Sequence, residues 1–179
     1  MHNSALFTLI LALASAINTP VCQADSQVDF AGTLVKDPCT LSIGEAGENK
    51  VVDFGTIVDK YLYANGQSQA QTFTILLQDC DTSLGNTVSF IFKGNEDTDQ
   101  PGLLALDDSS VAKGVAIGIA NTAGTPLPLN ENSEESSLND GDNQITFQAY
   151  VKASPAAIAN NAITQGDFSA TATFEMAYE

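Results

Sequence analysis

The chain has 179 residues and carries 22 acidic side chains against six basic ones, a formal charge of −16. Such a chain repels nucleic acid and anionic membrane surfaces. It has no Trp and no Arg, and its one His is His2, inside an N-terminal leader. Ser–His and Cys–His nucleophilic pairs are therefore excluded from the mature protein, and the lack of His with only two remaining Cys argues against a zinc site.

Residues 1–24 read as a secretory signal peptide. An apolar run over residues 5–16 is followed by Asn18-Thr19-Pro20 and by Cys22-Gln23-Ala24, a small-x-small cleavage site. The run is too short to span a bilayer, which argues against a membrane helix. The leader holds no Asp, Glu, Lys or Arg, so the mature chain keeps the whole charge, and what remains is one domain's length.

Beyond the leader the sequence alternates with a period of two. Val28, Phe30, Gly32 and Leu34 alternate with Asp29, Ala31 and Thr33. The same rhythm recurs at Phe73-Ile75-Leu77, Val88-Phe90-Phe92, Val115-Ile117-Ile119 and Ile145-Phe147-Ala149-Val151. Each such run predicts a strand with one face to a core. Turn chemistry separates the runs at residues 44–49, at Leu84-Gly85-Asn86 and at Asn139-Asp140-Gly141-Asp142. No long helical stripe is visible, and only residues 154–161, Ala-rich after a Pro, suggest a short helical turn. Many short strands separated by turns predict an all-β sandwich.

The final strand is the clearest. Phe168, Ala170, Ala172, Phe174, Met176 and Tyr178 share one face. Such a terminal run frays unless something covers it. Period alone leaves the role of residues 25–34 open. They fit the first strand of a complete sandwich and a strand offered to another molecule equally well.

Two Cys remain after the leader, Cys39 and Cys80. An even pair in an exported chain predicts a disulfide, stabilising by about 2–4 kcal/mol. Two acidic clusters, Glu96, Asp97 and Asp99 and Glu131, Glu134 and Glu135, are the only candidates for paired-carboxylate catalysis. Both lie in polar stretches, where acidic runs are ordinarily solvated. Asn95, Asp97 and Asp99 begin like a calcium loop, but the required Gly and distant Glu do not follow. The reading is a protein without catalytic residues, cofactor or metal. A sugar-binding adhesin module is the rival from another class. Tyr61 and Tyr63 could stack on a sugar, but packing beside a strand explains them as well.

These residues resemble the chaperone–usher pilus subunit family, most closely the minor and adaptor subunits of P-type pili. The resemblance is carried by Phe30-Ala31-Gly32-Thr33-Leu34, Cys39 with Cys80, and Val52-Asp53-Phe54-Gly55. It continues through Phe92-Lys93-Gly94, Gly114-Val115-Ala116-Ile117, Phe147-Gln148-Ala149-Tyr150, and a tail from Gly166 to the penultimate Tyr178. It implies an incomplete immunoglobulin-like β-sandwich, the pilin fold, lacking its last strand. Residues 25–35 would be an N-terminal donor-strand extension and residues 36–179 the pilin domain. Val28, Phe30, Gly32 and Leu34 would fill a neighbour's groove. Gly166, Phe168, Ala170, Ala172, Phe174, Met176, Tyr178 and Glu179 would form the strand that a chaperone, and later a neighbour, completes. The implied partners are a periplasmic chaperone, an outer-membrane usher and neighbouring subunits, with no nucleic acid and no membrane insertion. The implied destination is an extracellular pilus reached through the periplasm. A minor or adaptor subunit is the first expectation, with a major shaft subunit or a terminating subunit as alternatives.

Overall fold

The computed structural model describes residues 36–42 and 50–179. The leader and the candidate donor strand, residues 1–35, lie outside that set. Two antiparallel sheets face each other. One has the order β1-β2-β6-β4, from β1 (Thr40–Ser42), β2 (Gln71–Cys80), β6 (Gly141–Ala153) and β4 (Val115–Asn121). The other has the order β5-β3-β7, from β5 (Ser136–Ser137), β3 (Thr87–Lys93) and β7 (Thr173–Tyr178). This is the expected all-β sandwich.

The alternating residues meet as their period requires. Phe73 pairs with Phe147 and Ile75 with Ile145 across β2 and β6, while Phe92 pairs with Phe174 and Phe90 with Met176 across β3 and β7. Phe90, Leu77, Val88 and Val151 are fully buried. Edge-to-face contacts tie the sheets together, with Phe147 of β6 at 5.1 Å from Phe90 and 5.0 Å from Phe92 of β3. Such aromatic pairs add about 0.5–1.5 kcal/mol beyond the area they bury.

Strand β4 is buried along nearly its whole length and includes Gly118. Tyr150, its partner across the ladder, lies against Gly118, where a Cβ would run into the ring. The glycine thus lets an aromatic side chain roof the outer face of the sheet.

A disulfide joins Cys39 to Cys80, 41 residues apart. Strict alternation would put Leu77 and Cys80 on opposite faces. A bulge between them, with Asp79 at φ 51°, resets the phase and turns both inward.

Two short helices interrupt the strands. Helix α2 (Pro155–Ala159) answers the Ala-rich stretch, with Ser154 Oγ accepting the Ala157 amide at 3.1 Å and Pro155 opening the first turn. Helix α1 (Asp59–Asn65) was not foreseen; it ends at Gly66, in the left-handed region at φ 77°. Tyr61 and Tyr63 therefore sit on a helix rather than beside a strand.

Candidate functional site: an open sheet edge

Strand β7 is the last of its sheet, and among the described residues nothing pairs with its outer edge. Its inner edge is fully engaged. Residues 173–178 ladder onto β3, and Glu179 continues the pairing, its amide donating to Thr87 O and its carbonyl accepting from Asn86 and Thr87. The preceding residues bond to a different neighbour. The carbonyl of Ser169 accepts the Asp107 amide at 2.8 Å, and that of Asp167 accepts the Val111 amide at 2.9 Å. The expected strand over residues 168–178 is thus one continuous edge, of which only the second half is regular ladder. Gly166 opens it at φ 147°, where a Cβ would come within 2.7 Å of Val111 Cβ.

The open edge carries the apolar face read from the sequence. Phe168, Ala170, Phe174, Met176 and Tyr178 pack on the core yet stay only partly buried, and Ala172 is exposed. A terminal strand covered on both sides would bury these side chains. Here they line a trough.

Residues 50–57 meet this edge at its Phe168 end. Val52, Phe54 and Ile57 turn toward the core, with Asp53 exposed between the first two. Among the described residues this stretch makes no backbone hydrogen bond to any strand. Phe54 and Phe168 mark one end of the trough, their ring centroids 6.1 Å apart. At the other end of the strand, Gly85 lies beside Tyr178 and Pro38, where a Cβ would come within 3.4 Å of Tyr178 Cβ and 3.1 Å of Pro38 Cγ. Burial and then the negative charge of Asp37 push the Tyr178 hydroxyl above its usual range. Among the described residues, an unpaired strand edge and an unladdered stretch, each with apolar side chains on the core, are what the loss of one strand from a sandwich leaves. The sequence pattern had picked out Val52-Asp53-Phe54-Gly55 and the tail. It had not shown that Phe54 meets Phe168, nor that residues 107–113 hold the tail's first half.

Of the acidic residues considered for catalysis, Glu96 has structural work. Glu96 accepts the Gly102 amide at 2.9 Å and Asn130 Nδ2 at 3.0 Å, which joins the β3–β4 and β4–β5 connections. These bonds hold its carboxyl below the ordinary glutamate value. A lowered folded-state value means the contribution is present above the unfolded value, about 4.3, and is lost as pH falls through the folded value. In Glu96→Gln the denaturation midpoint should therefore vary less with pH below about 4.3 than in the parent. Chemical unfolding at successive pH values checks this, and parallel profiles for the two proteins would refute it.

Residues 28–179 match the family described as Fimbrial protein. The chain belongs to the fimbrial protein family. A fimbrial relative, the putative minor fimbrial subunit PmfF of Proteus mirabilis strain HI4320, is 32% identical over 184 residues, covering 100% of both chains. The major MR/P fimbria protein of the same strain is 34% identical over 158 residues, 88% of this chain and 86% of its own. The crystal structure of the P pilus rod subunit PapA superposes with a TM-score of 0.67 at 27% identity, covering 80% of this chain and all of the other. The fold is therefore the pilin fold. The fimbrial subunit is structural rather than enzymatic and is built into extracellular pili. Among its described residues no helix is long and apolar enough to cross a membrane.

Proposed function

We propose that the trough between residues 50–57 and 168–178 accepts an added β-strand, and that residues 25–34 are the strand this subunit gives to a neighbour. The observation that carries the reading is the outer edge of β7, unpaired among the described residues above half-covered apolar side chains, with residues 50–57 meeting it where Phe54 contacts Phe168. Strand addition satisfies that edge with main-chain hydrogen bonds while alternate side chains fill the floor; transfer between chaperone and pilin is a known case of it. Val28, Phe30 and Leu34 supply the bulky side chains, and Gly32 the place where walls approach closely.

In this reading a periplasmic chaperone first covers the strand from Gly166 through Phe168, Ala170, Ala172, Phe174 and Met176 to Tyr178. Glu179 is its anchoring end. At an outer-membrane usher the neighbouring subunit then displaces the chaperone. A minor or adaptor place in the pilus is supported by the end-to-end likeness to PmfF, described as a putative minor subunit. Mass spectrometry of purified pili tests the place, and copy numbers typical of a shaft would overturn it.

Deleting residues 25–33 tests the mechanism. The shortened subunit should still co-purify with its chaperone, because its acceptor edge is intact. It should never appear inserted in a neighbour. Its incorporation at the parent level, or loss of the chaperone complex, would refute the assignment of the two strands.

A further inference from the structure

Beside the Phe54 end of the trough lies a cavity of about 660 Å³, bounded by Phe54, Ile57, Val58, Lys60, Tyr61 and Ala64. We propose that it receives Val35, Lys36 and Asp37 of a second copy of this chain, and that Lys60 pairs with the incoming Asp37. The inference rests on the strand-donation reading and adds a joint that follows the strand itself.

Direction comes first. Every pairing in both sheets is antiparallel, and antiparallel ladders are slightly the more stable per residue. A strand added antiparallel to residues 168–178 starts at Tyr178 and finishes at Phe168. Leu34 of the donor then arrives at the Phe168–Phe54 end, and residues 35–37 continue past Phe54. Three extended residues span about 10 Å, enough to cross the rim into the cavity.

The lining suits that segment. Val58 is 60% exposed and Tyr61 42% exposed, large apolar surfaces with no cover among the described residues. Val35 offers an apolar side chain to them. The wall is braced as well. Tyr63 Oη accepts the Ile163 amide at 3.1 Å, and Asp59 Oδ2 accepts Gln165 Nε2 at 2.6 Å, so α1 is fixed to the segment that leads into the acceptor edge. A preformed wall lowers the ordering cost of binding.

Charge supplies the specificity. A chain of net charge −16 has six lysines with which to offset repulsion between successive subunits. Among the described residues, Lys60 is the one charged side chain lining the cavity. Asp37 follows Leu34 by three residues and is exposed in its own body. A subunit's own Asp37 lies near its Tyr178. The Phe54 end is about ten strand residues away, roughly 33 Å, so Lys60 must meet the aspartate of another copy.

The test uses the intact mature chain and labelled synthetic peptides of residues 25–34 and 25–37, with dissociation followed by fluorescence anisotropy. The longer peptide should leave more slowly. Asp37→Lys in the peptide, or Lys60→Glu in the protein, should each remove about two- to fivefold of that advantage, the range of an exposed ion pair. Combining the two should restore it, and high salt should shrink it. Lys60 is exposed, so Lys60→Glu should keep the parent's circular dichroism and denaturation midpoint. Equal dissociation of the two peptides overturns the joint while leaving strand donation standing. Failure of the combined exchange to restore the rate overturns the Lys60–Asp37 pair. Binding of neither peptide overturns strand donation itself.

Discussion

Phe90→Ala should lower the unfolding free energy of the pilin domain by about 3–5 kcal/mol, the usual range for emptying a buried aromatic site. Phe90 is 0% exposed and sits where the two sheets and the trough meet. Its ring lies 5.1 Å from Phe147 and 6.1 Å from Phe174, so truncation undermines one residue of the opposite sheet and one of the acceptor edge. Its amide also donates to Ser133 Oγ at 2.9 Å, which pins the ladder in place and limits how far the backbone can collapse into the hole. A site that cannot collapse keeps the whole cavity penalty. Against a typical total of about 5–15 kcal/mol, that loss leaves a marginal domain. Urea unfolding with an unchanged m-value measures it, and Phe90→Leu should lose less. A loss below about 1 kcal/mol for the alanine variant would show that the aromatic cluster is not the hub of the core. The same variant should hold a donor peptide less tightly, because the floor under Phe174 sinks.

What was legible in the sequence followed from packing that repeats along the chain. The alternation at residues 73–77, 88–92, 115–119 and 145–151 became β2, β3, β4 and β6 because each has one face against the other sheet. Cys80 ends β2, but the bulge that turns it inward has no marker in the sequence beyond Asp79, a residue tolerant of positive φ. Helix α1 was missed because seven residues are too few to show a helical period. Leu62 alone is buried, and the helix is held by Tyr63 and Asp59 reaching residues 163 and 165. Helices that short draw their stability from tertiary contacts, which no local pattern encodes. The tail's alternation was plain, yet its two halves bond to different neighbours, residues 107–113 and then β3. In the first half Gly166 passes close to Val111. The tail's apolar face could therefore be read residue by residue, while the meeting of Phe54 with Phe168 emerged only from the fold.

The largest effect on assembly should come from Gly32→Phe, which should stop polymerisation while leaving the chaperone-bound subunit intact. Gly32 lies two residues before Leu34, on the same face of the alternating run, and interrupts a bulky series. In a donated strand that face enters the trough, and a glycine there lets the two walls close on the backbone. A benzyl group would have to displace the floor or lift the strand. Overpacking of this kind costs about 1–3 kcal/mol at one site, and lifting the strand also loses the hydrogen bonds on either side of it. The subunit that carries the change is not itself affected, since the side chain acts only in the neighbour's trough. Yield of the chaperone complex should thus match the parent, and polymer should be missing from shear-released pili. Thr33→Ala, on the opposite face, should polymerise normally. If residues 25–34 were instead the first strand of their own sandwich, Gly32→Phe would lower the denaturation midpoint of the isolated subunit and Thr33→Ala would not. Polymer at the parent level from Gly32→Phe, or a midpoint shift confined to that variant, would refute the donor-strand assignment.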